Sequence, residues 1–156
     1  NDRTVLDNFF DTATIGGATP GHLGHAWAWY MLSPKWQTVW PQQSHPAQYN
    51  DPGVMKAAII MTDGEYNTEY STTNSRDQAL ALCAGMRAAG IKVYTVGFGF
   101  GSGPSAAKTM LEACVDVTNN PDNAYYFPQT AADLKAAFAH IGTKLTGGAQ
   151  RLVVMK

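Results

Sequence analysis

"KAAIIMTDGEYN", residues 56–67, is the stretch on which the fold turns. The apolar run 54–62 stops at Asp63 and Gly64, and a second acid follows at Glu65. A short apolar run between turn signals reads as a strand buried in a parallel sheet. In an open parallel sheet, ligands gather outside the carboxyl ends of the strands. Asp63 stands at such an end, and Gly64 lets the chain turn sharply there. Its carboxylate suits a hard cation such as Mg2+ or Ca2+. It suits the first polar position of a cap-like turn equally well, and the residues alone leave both readings open.

Downstream, the pattern alternates. Ser75 and Gln78 match a capping box ahead of a helix whose stripe is Ala79, Leu82, Cys83 and Met86, and Gly90 ends it. "IKVYTVGF" (91–98) is rich in β-branched and aromatic residues and predicts a second strand. The glycines of "GFGSGPS" (99–105) read as turn chemistry. Ala107, Met110, Leu111 and Cys114 mark a third amphipathic helix, and "AYYFP" (124–128) predicts a third strand. Thr130 caps a last helix with Leu134, Ala137, Phe138, Ile141 and Leu145 on one face. Strands alternating with helices over short connections predict a parallel sheet with helices on its faces.

Upstream, Leu6, Phe9, Phe10 and Ala13 share one face of a helix that fails at Gly16-Gly17. A second helix, from Gly21 to Leu32, carries Leu23, Ala26, Trp27 and Tyr30 at helical spacing and stops at Ser33-Pro34. Residues 34–53 interleave Pro34, Pro41, Pro46 and Pro52 with Trp36, Trp40 and Tyr49. They read as an irregular lid whose aromatics pack on their own domain.

Composition narrows the function classes. The chain has 156 residues, 45% of them hydrophobic, with a formal net charge of −1, which fits one globular domain without a basic stripe for nucleic acid. No run of about 18 apolar residues offers a membrane span. The chain starts at Asn1, shows no signal peptide, and reads as a piece of something longer. Gly97 to Gly103 fails the dinucleotide fingerprint at its third glycine, and neither a P-loop nor GxSxG occurs. His22 and His25 form an HxxH pair that reads as incidental helix surface, and Cys83 and Cys114 form neither CxxC nor a zinc-type cluster.

With these elements in order, the chain resembles a von Willebrand factor A domain, most closely the TadG-like proteins of tight-adherence (Flp-type) pilus systems. The resemblance rests on "GGATPGHLGHAWAWYMLSP", "KAAIIMTDGEYN", "ALCAGMRAAGIKVYTVGFG", "MLEAC" and "AYYFPQTAADLKAAFAHIGTKL", which together cover nearly the whole chain. It implies a Rossmann-like α/β three-layer sandwich with a mainly parallel sheet, as a single domain over 1–147. Residues 148–156, with "RLVVMK", would be a tail or a short edge strand. It also implies a metal-ion-dependent adhesion site in which Thr19 and Asp63 match the family's threonine and aspartate, holding Mg2+ (or Ca2+ or Mn2+). The family's DxSxS motif does not occur in these residues; "DTATI" from Asp11 lacks both serines. The resemblance would put that motif on a strand upstream of residue 1, so that this chain holds a partial site and binds the ion weakly or not at all. A missing strand would leave 54–62 with one unpaired edge and exposed apolar faces.

The implied function is metal-dependent protein binding, to a pilus or cell-surface component, in a protein of the periplasm or cell surface tethered through parts outside this chain. A structural interaction module with a vestigial site is the alternative. An α/β enzyme using Asp63 is a third reading; it needs a lysine or second carboxylate at a neighbouring strand end, and the strands ending at Gly97 and near Pro128 offer none. Right-handed crossovers would set the helices of Cys83 and Cys114 side by side, and export would permit a disulfide between them. Two buried free thiols are the other possibility.

Overall fold

The computed structural model describes residues 3–14 and 16–147. Among them run α1 (Arg3–Thr12), α2 (Gly21–Leu32), β1 (Ala57–Thr62), α3 (Ser75–Ala88), β2 (Lys92–Gly97), α4 (Ala106–Val115), β3 (Ala124–Tyr126) and α5 (Ala131–Gly147). The strands form one parallel sheet in the order β1-β2-β3, with Ala57 opposite Lys92 and Tyr94 opposite Ala124. The architecture is the mixed α/β class with a parallel sheet expected from the alternation of elements, and it is consistent with a Rossmann-like fold. Residues 148–156, where a tail or edge strand was expected, lie outside the described residues.

The sheet is covered on both faces at its centre. Side chains alternate along a strand, so Val93 and Thr95 of β2 point one way and Tyr94 and Val96 the other. Val93 packs with Ala58 and Ile60 of β1 and with Ala79, Cys83, Met86, Met110, Leu111 and Cys114 of α3 and α4. Tyr94 and Val96 pack against Ile141 of α5. Most polar groups in this interior are paired, the Tyr94 hydroxyl being an exception among the described residues. Thr95 Oγ1 donates to the Leu111 carbonyl at 3.1 Å, and Asn123 accepts from Val93 N while donating to the Val115 carbonyl, each at 3.1 Å. Unpaired, each would cost about 1–3 kcal/mol.

β1 is less buried than its apolar pattern alone predicts, and has the bare edge and partly exposed apolar face that were also expected of 54–62. It lies at the edge of the three-stranded sheet. Ala58 and Ile60 are buried, but Ile59 and Met61 on the α5 side are 39% and 47% exposed. Register explains this. Ile59 and Met61 pair with Tyr94 and Val96, yet the cluster around Ile141 draws its partly buried members from Ala57, β3 and α5 itself. No helix among the described residues therefore covers the outer half of β1 on that side. α1 is similarly bare: none of its residues is buried, and Phe9 and Phe10 are 67% and 70% exposed.

Local signals in α3 and α5 differ in accuracy. Asn74, not Ser75, caps α3: its side chain accepts from Asp77 N at 2.9 Å and donates to the Asp77 carboxylate at 2.6 Å. Ser75 turns inward and is fully buried. Leu82 of the expected stripe is half-buried, whereas Ala79, Cys83 and Met86 are buried. The cap of α5 is as expected: Thr130 Oγ1 accepts from Asp133 N at 3.1 Å, and the Asp133 carboxylate accepts from Thr130 N at 3.1 Å. Thr130 Oγ1 also donates to the Asp133 carboxylate at 2.8 Å, and this bond together with the one from Thr130 N holds the carboxyl below its ordinary range.

The lid 34–53 packs on its own domain. Two 3-10 turns, Pro34–Trp36 and Gln42–Ser44, give it local order. Trp29 Nε1 donates to Tyr49 OH at 2.9 Å, and the Tyr30 and Trp36 rings stack with centroids 4.0 Å apart. Lys56 Nζ donates to the Leu32 carbonyl at 2.7 Å, tying the end of α2 to the approach of β1, and burial lowers its ammonium pKa.

α2 crosses α3 where Trp29 meets Gly85. A Cβ on Gly85 would come within 2.3 Å of the indole ring. In an exposed helix, glycine to alanine stabilises by about 1 kcal/mol. Here Trp29 is tethered to Tyr49, so the clash dominates, and Gly85→Ala is expected to lower stability by about 1–3 kcal/mol. Chemical denaturation checks the sign; a stabilised variant would mean that α2 and α3 are not packed this closely.

Candidate functional site

At the carboxyl end of β1 the chain turns on itself. Thr62 Oγ1 donates to the Gly64 carbonyl at 3.1 Å and accepts from Gly64 N at 3.3 Å, which fixes the turn that presents Asp63. The Asp63 side chain is exposed, and no hydrogen bond or ion pair engages its carboxylate among the described residues. The loop that follows is fastened to the segment ahead of α2. Asn67 N donates to the Thr19 carbonyl at 3.2 Å, and Thr19 N donates to Asn67 Oδ1 at 2.8 Å. This two-way clamp sets Thr19 Oγ1 4.0 Å from where a Cβ on Gly64 would stand. The two residues expected at a cation site thus lie on adjoining loops. Sequence reasoning did not single out Asn67, because its clamp joins loops 48 positions apart.

Glu65 adds a second carboxylate to this turn, but Arg76 stands 3.9 Å from it. Tyr66 goes inward instead. Its ring is buried against Gly21, where a Cβ would fall 2.2 Å from the ring, and burial pushes its phenol well above the usual range. Beneath Thr19, between α2 and β1, runs a groove of about 410 Å3 lined by Gly21, Gly24, His25, Ile60 and Tyr66 among others.

The histidines are not surface residues. His22 and His25 are the two buried residues of α2, while Leu23 and Trp27 of the expected stripe are exposed. His22, His25, Trp29 and Leu32 also recur at i, i+3, i+7 and i+10, so a second helical face was present in the pattern. It went unread because histidine is usually scored as polar. His22 Nδ1 meets Ser75 Oγ at 2.8 Å, which accounts for the inward turn of Ser75. His25 Nδ1 lies 3.0 Å from the Gly21 carbonyl. A carbonyl only accepts, so Nδ1 carries the proton, and in the neutral ring Nε2 keeps a lone pair. That nitrogen faces Cys114 Sγ at 4.0 Å.

Cys83 of α3 and Cys114 of α4 form a disulfide with their Cα atoms 5.2 Å apart. Arg87 caps this junction, donating to the Cys114 carbonyl and standing 3.8 Å from the Asp116 carboxylate.

The other strand ends are occupied differently. Lys108 of α4 reaches back over the glycine turn, donating to the Gly101 and Gly103 carbonyls at 2.5 and 2.6 Å, with its ammonium 5.6 Å from the Phe127 ring centre. A lysine therefore does stand near the end of β2, contrary to the expectation that none does, but its donors are engaged by backbone. Gly99 and Gly101 adopt positive φ of 73° and 67°, which is the turn role expected of them.

Comparison of the chain with models of known protein families, with curated proteins and with solved structures found no match.

Burial lowers the pKa of His25 below its ordinary 6.5, the hydrogen bond to Gly21 opposes this, and neighbouring His22 adds to it. A base whose folded pKa is depressed binds protons more readily when unfolded, so folding stability is lost as pH falls through about 6.5 and below. The melting temperature is expected to drop between pH 7.5 and 5.5 more steeply in the wild type than in His25→Gln. Equal slopes would show that His25 is not the group responsible.

Proposed function

We propose that this chain is the binding region of a von Willebrand factor A-type module, of the TadG-like branch, rather than an enzyme. In this reading a divalent cation, Mg2+ with Ca2+ or Mn2+ as alternates, sits above the carboxyl end of β1 and joins the module to a carboxylate of a protein partner. The observation that carries it is the two-way clamp between Thr19 and Asn67, which holds the Thr19 hydroxyl beside the Asp63 turn. Both oxygen types suit a hard cation. Asp63 would hold the ion by charge, and Thr19 would supply a neutral oxygen. The ion would supply an open Lewis-acid position for the partner's carboxylate. Buried Tyr66, seated on Gly21, keeps the two loops from drifting apart. One carboxylate and one hydroxyl hold Mg2+ poorly, because that ion dehydrates reluctantly and wants several oxygens in fixed geometry. Affinity in this chain alone is therefore on the order of millimolar or weaker. A periplasmic or cell-surface setting accords with the disulfide, which persists in oxidising compartments.

A second reading is a structural module that docks partners without metal. It is favoured by a separate cavity of about 540 Å3 under the lid, walled by Trp29, Tyr30, Trp36 and Tyr49 with Lys35 at its side. Aromatic walls with one polar handle are common at protein interfaces.

Paramagnetic Mn2+ separates these readings. Titrated into labelled protein, it is expected to broaden the amide signals of Thr19, Asp63 and Gly64 first, and Asp63→Asn is expected to abolish this. Asn67→Ala should weaken the effect at Thr19 while sparing Asp63. Broadening scattered over other carboxylates, or unchanged in Asp63→Asn, would overturn the cation reading. Micromolar Mg2+ affinity by calorimetry, lost in Asp63→Ala, would overturn the partial-site account.

A further inference from the structure

The buried junction of α2, α3 and α4 carries a second constellation, independent of Asp63. The Sγ atoms of Cys83 and Cys114 and a ring nitrogen of His25 all lie within 4.8 Å of one another, and all three residues are fully buried. We propose that disulfide and metal site are alternate states of this one centre: oxidised, the cysteines bond to each other; reduced, they hold Zn2+ together with His25.

Donor geometry supports this. In a tetrahedral zinc site, bonds of about 2.3 Å to sulfur and about 2.0–2.1 Å to nitrogen put sulfur and nitrogen roughly 3.6 Å apart. Cys114 Sγ and His25 Nε2 already stand 4.0 Å apart, so a shift of a few tenths of an ångström suffices. The same bond lengths require the two sulfurs to be roughly 3.8 Å apart. The 5.2 Å between the Cα atoms leaves room to reach that by side-chain rotation. The ring is prepared as a ligand: Nδ1 is committed to the Gly21 carbonyl, the outer hydrogen bond that metal-bound histidines characteristically make. The ring meets Tyr66 edge-on at 5.6 Å, which limits its rotation.

Charge and access also fit. Two thiolates, a neutral imidazole and Zn2+ sum to zero, so the assembled site buries no net charge. Sulfur donors favour Zn2+ over Mg2+ or Ca2+, so this centre would not compete for the ion proposed at Asp63. The groove between α2 and β1 is lined by Gly21, Gly24 and His25, so it reaches the ring ligand of the centre. No fourth ligand completes the cluster among the described residues, which leaves one coordination position to water.

The interconversion balances with a dithiol as reductant. One thiolate of the dithiol attacks a protein sulfur and displaces the other as a thiolate. The second thiol then closes on the mixed disulfide, so the dithiol leaves as a cyclic disulfide with two electrons transferred. Cys83 and Cys114 remain as thiols. Zn2+ displaces one proton from each and takes a lone pair from each sulfur and from Nε2, so affinity falls on acidification.

Co2+ is the probe. The protein is reduced anaerobically with a phosphine, freed of reductant and titrated with Co2+. The expected result is one equivalent bound per chain with thiolate-to-cobalt charge-transfer absorption, bleached by Zn2+ and absent from oxidised protein. His25→Gln, first shown by circular dichroism to fold in its oxidised form, should weaken binding by roughly tenfold or more. If that variant does not fold, Cys83→Ser replaces it and should lose about half of the charge-transfer intensity, as one of two thiolates is gone. If reduction unfolds the wild type, Zn2+ should restore its helical signal. No absorption in the reduced wild type, unaltered affinity in the variant, two chains per metal, or failure of Zn2+ to restore the fold would each overturn the proposal.

Discussion

His25 joins three parts of the molecule at one point. Its Nδ1 closes the first turn of α2 on Gly21, its Nε2 faces the bridge between α3 and α4, and its ring meets Tyr66 from the loop after β1. An apolar side chain could fill the same space but could not hold the Gly21 carbonyl. α2 contributes little else to the interior: it buries only His22 and His25 completely, while Trp29 and Leu32 pack partly on the main cluster. His25 thus anchors the first turn of α2, just behind Thr19, and burial disfavours its charged form. A protonated imidazole there would be a charge held in a buried site.

The remaining packing follows from where helices are available to cover strands. β2 has neighbours on both edges and both faces and is buried along nearly its whole length. β1 has α2 and α3 on one side and nothing described on the other half of its second side. Two apolar surfaces are thus left open in one chain, the outer face of β1 and the apolar face of α1. Neither is short of hydrophobic residues; each lacks a cover. The lid, by contrast, supplies its own aromatics and is tied to α2 by two indole hydrogen bonds, from Trp29 to Tyr49 and from Trp40 to the Tyr30 carbonyl, so a loop of 20 residues stays ordered with little regular structure.

Much of this was legible in the residues, and the gaps have physical causes. The β-α-β-α-β-α order could be read because each downstream helix carries a clean apolar stripe and each strand ends in glycine or proline chemistry. Cys114 and its neighbours on α4 fell where periodicity put them, and Thr130 caps α5 as expected. The α3 cap was displaced by one residue because Ser75 is as good a cap as Asn74 in isolation; only the demand of His22 for a partner pulls it inward. The inward face of α2 was misread for the same reason, since a histidine looks polar until its hydrogen-bond partners are known. Burial of β1 was overestimated because an apolar sequence reports what a strand could bury and not what lies beside it. At the candidate site, Asp63 and Thr19 were visible as residue types, whereas the clamp through Asn67 depends on backbone groups 48 positions apart, which no local pattern encodes.

The bridge between α3 and α4 also matters for a chain under load. Cys83 and Cys114 are 31 positions apart in sequence, and the segment between them contains all of β2. Tension applied at the two ends of the chain would cross directly from one sulfur to the other and leave the central strand out of the stretched path. Extension would then stop about 100 Å short of the full contour length, and the middle of the sheet would stay folded while its flanks gave way.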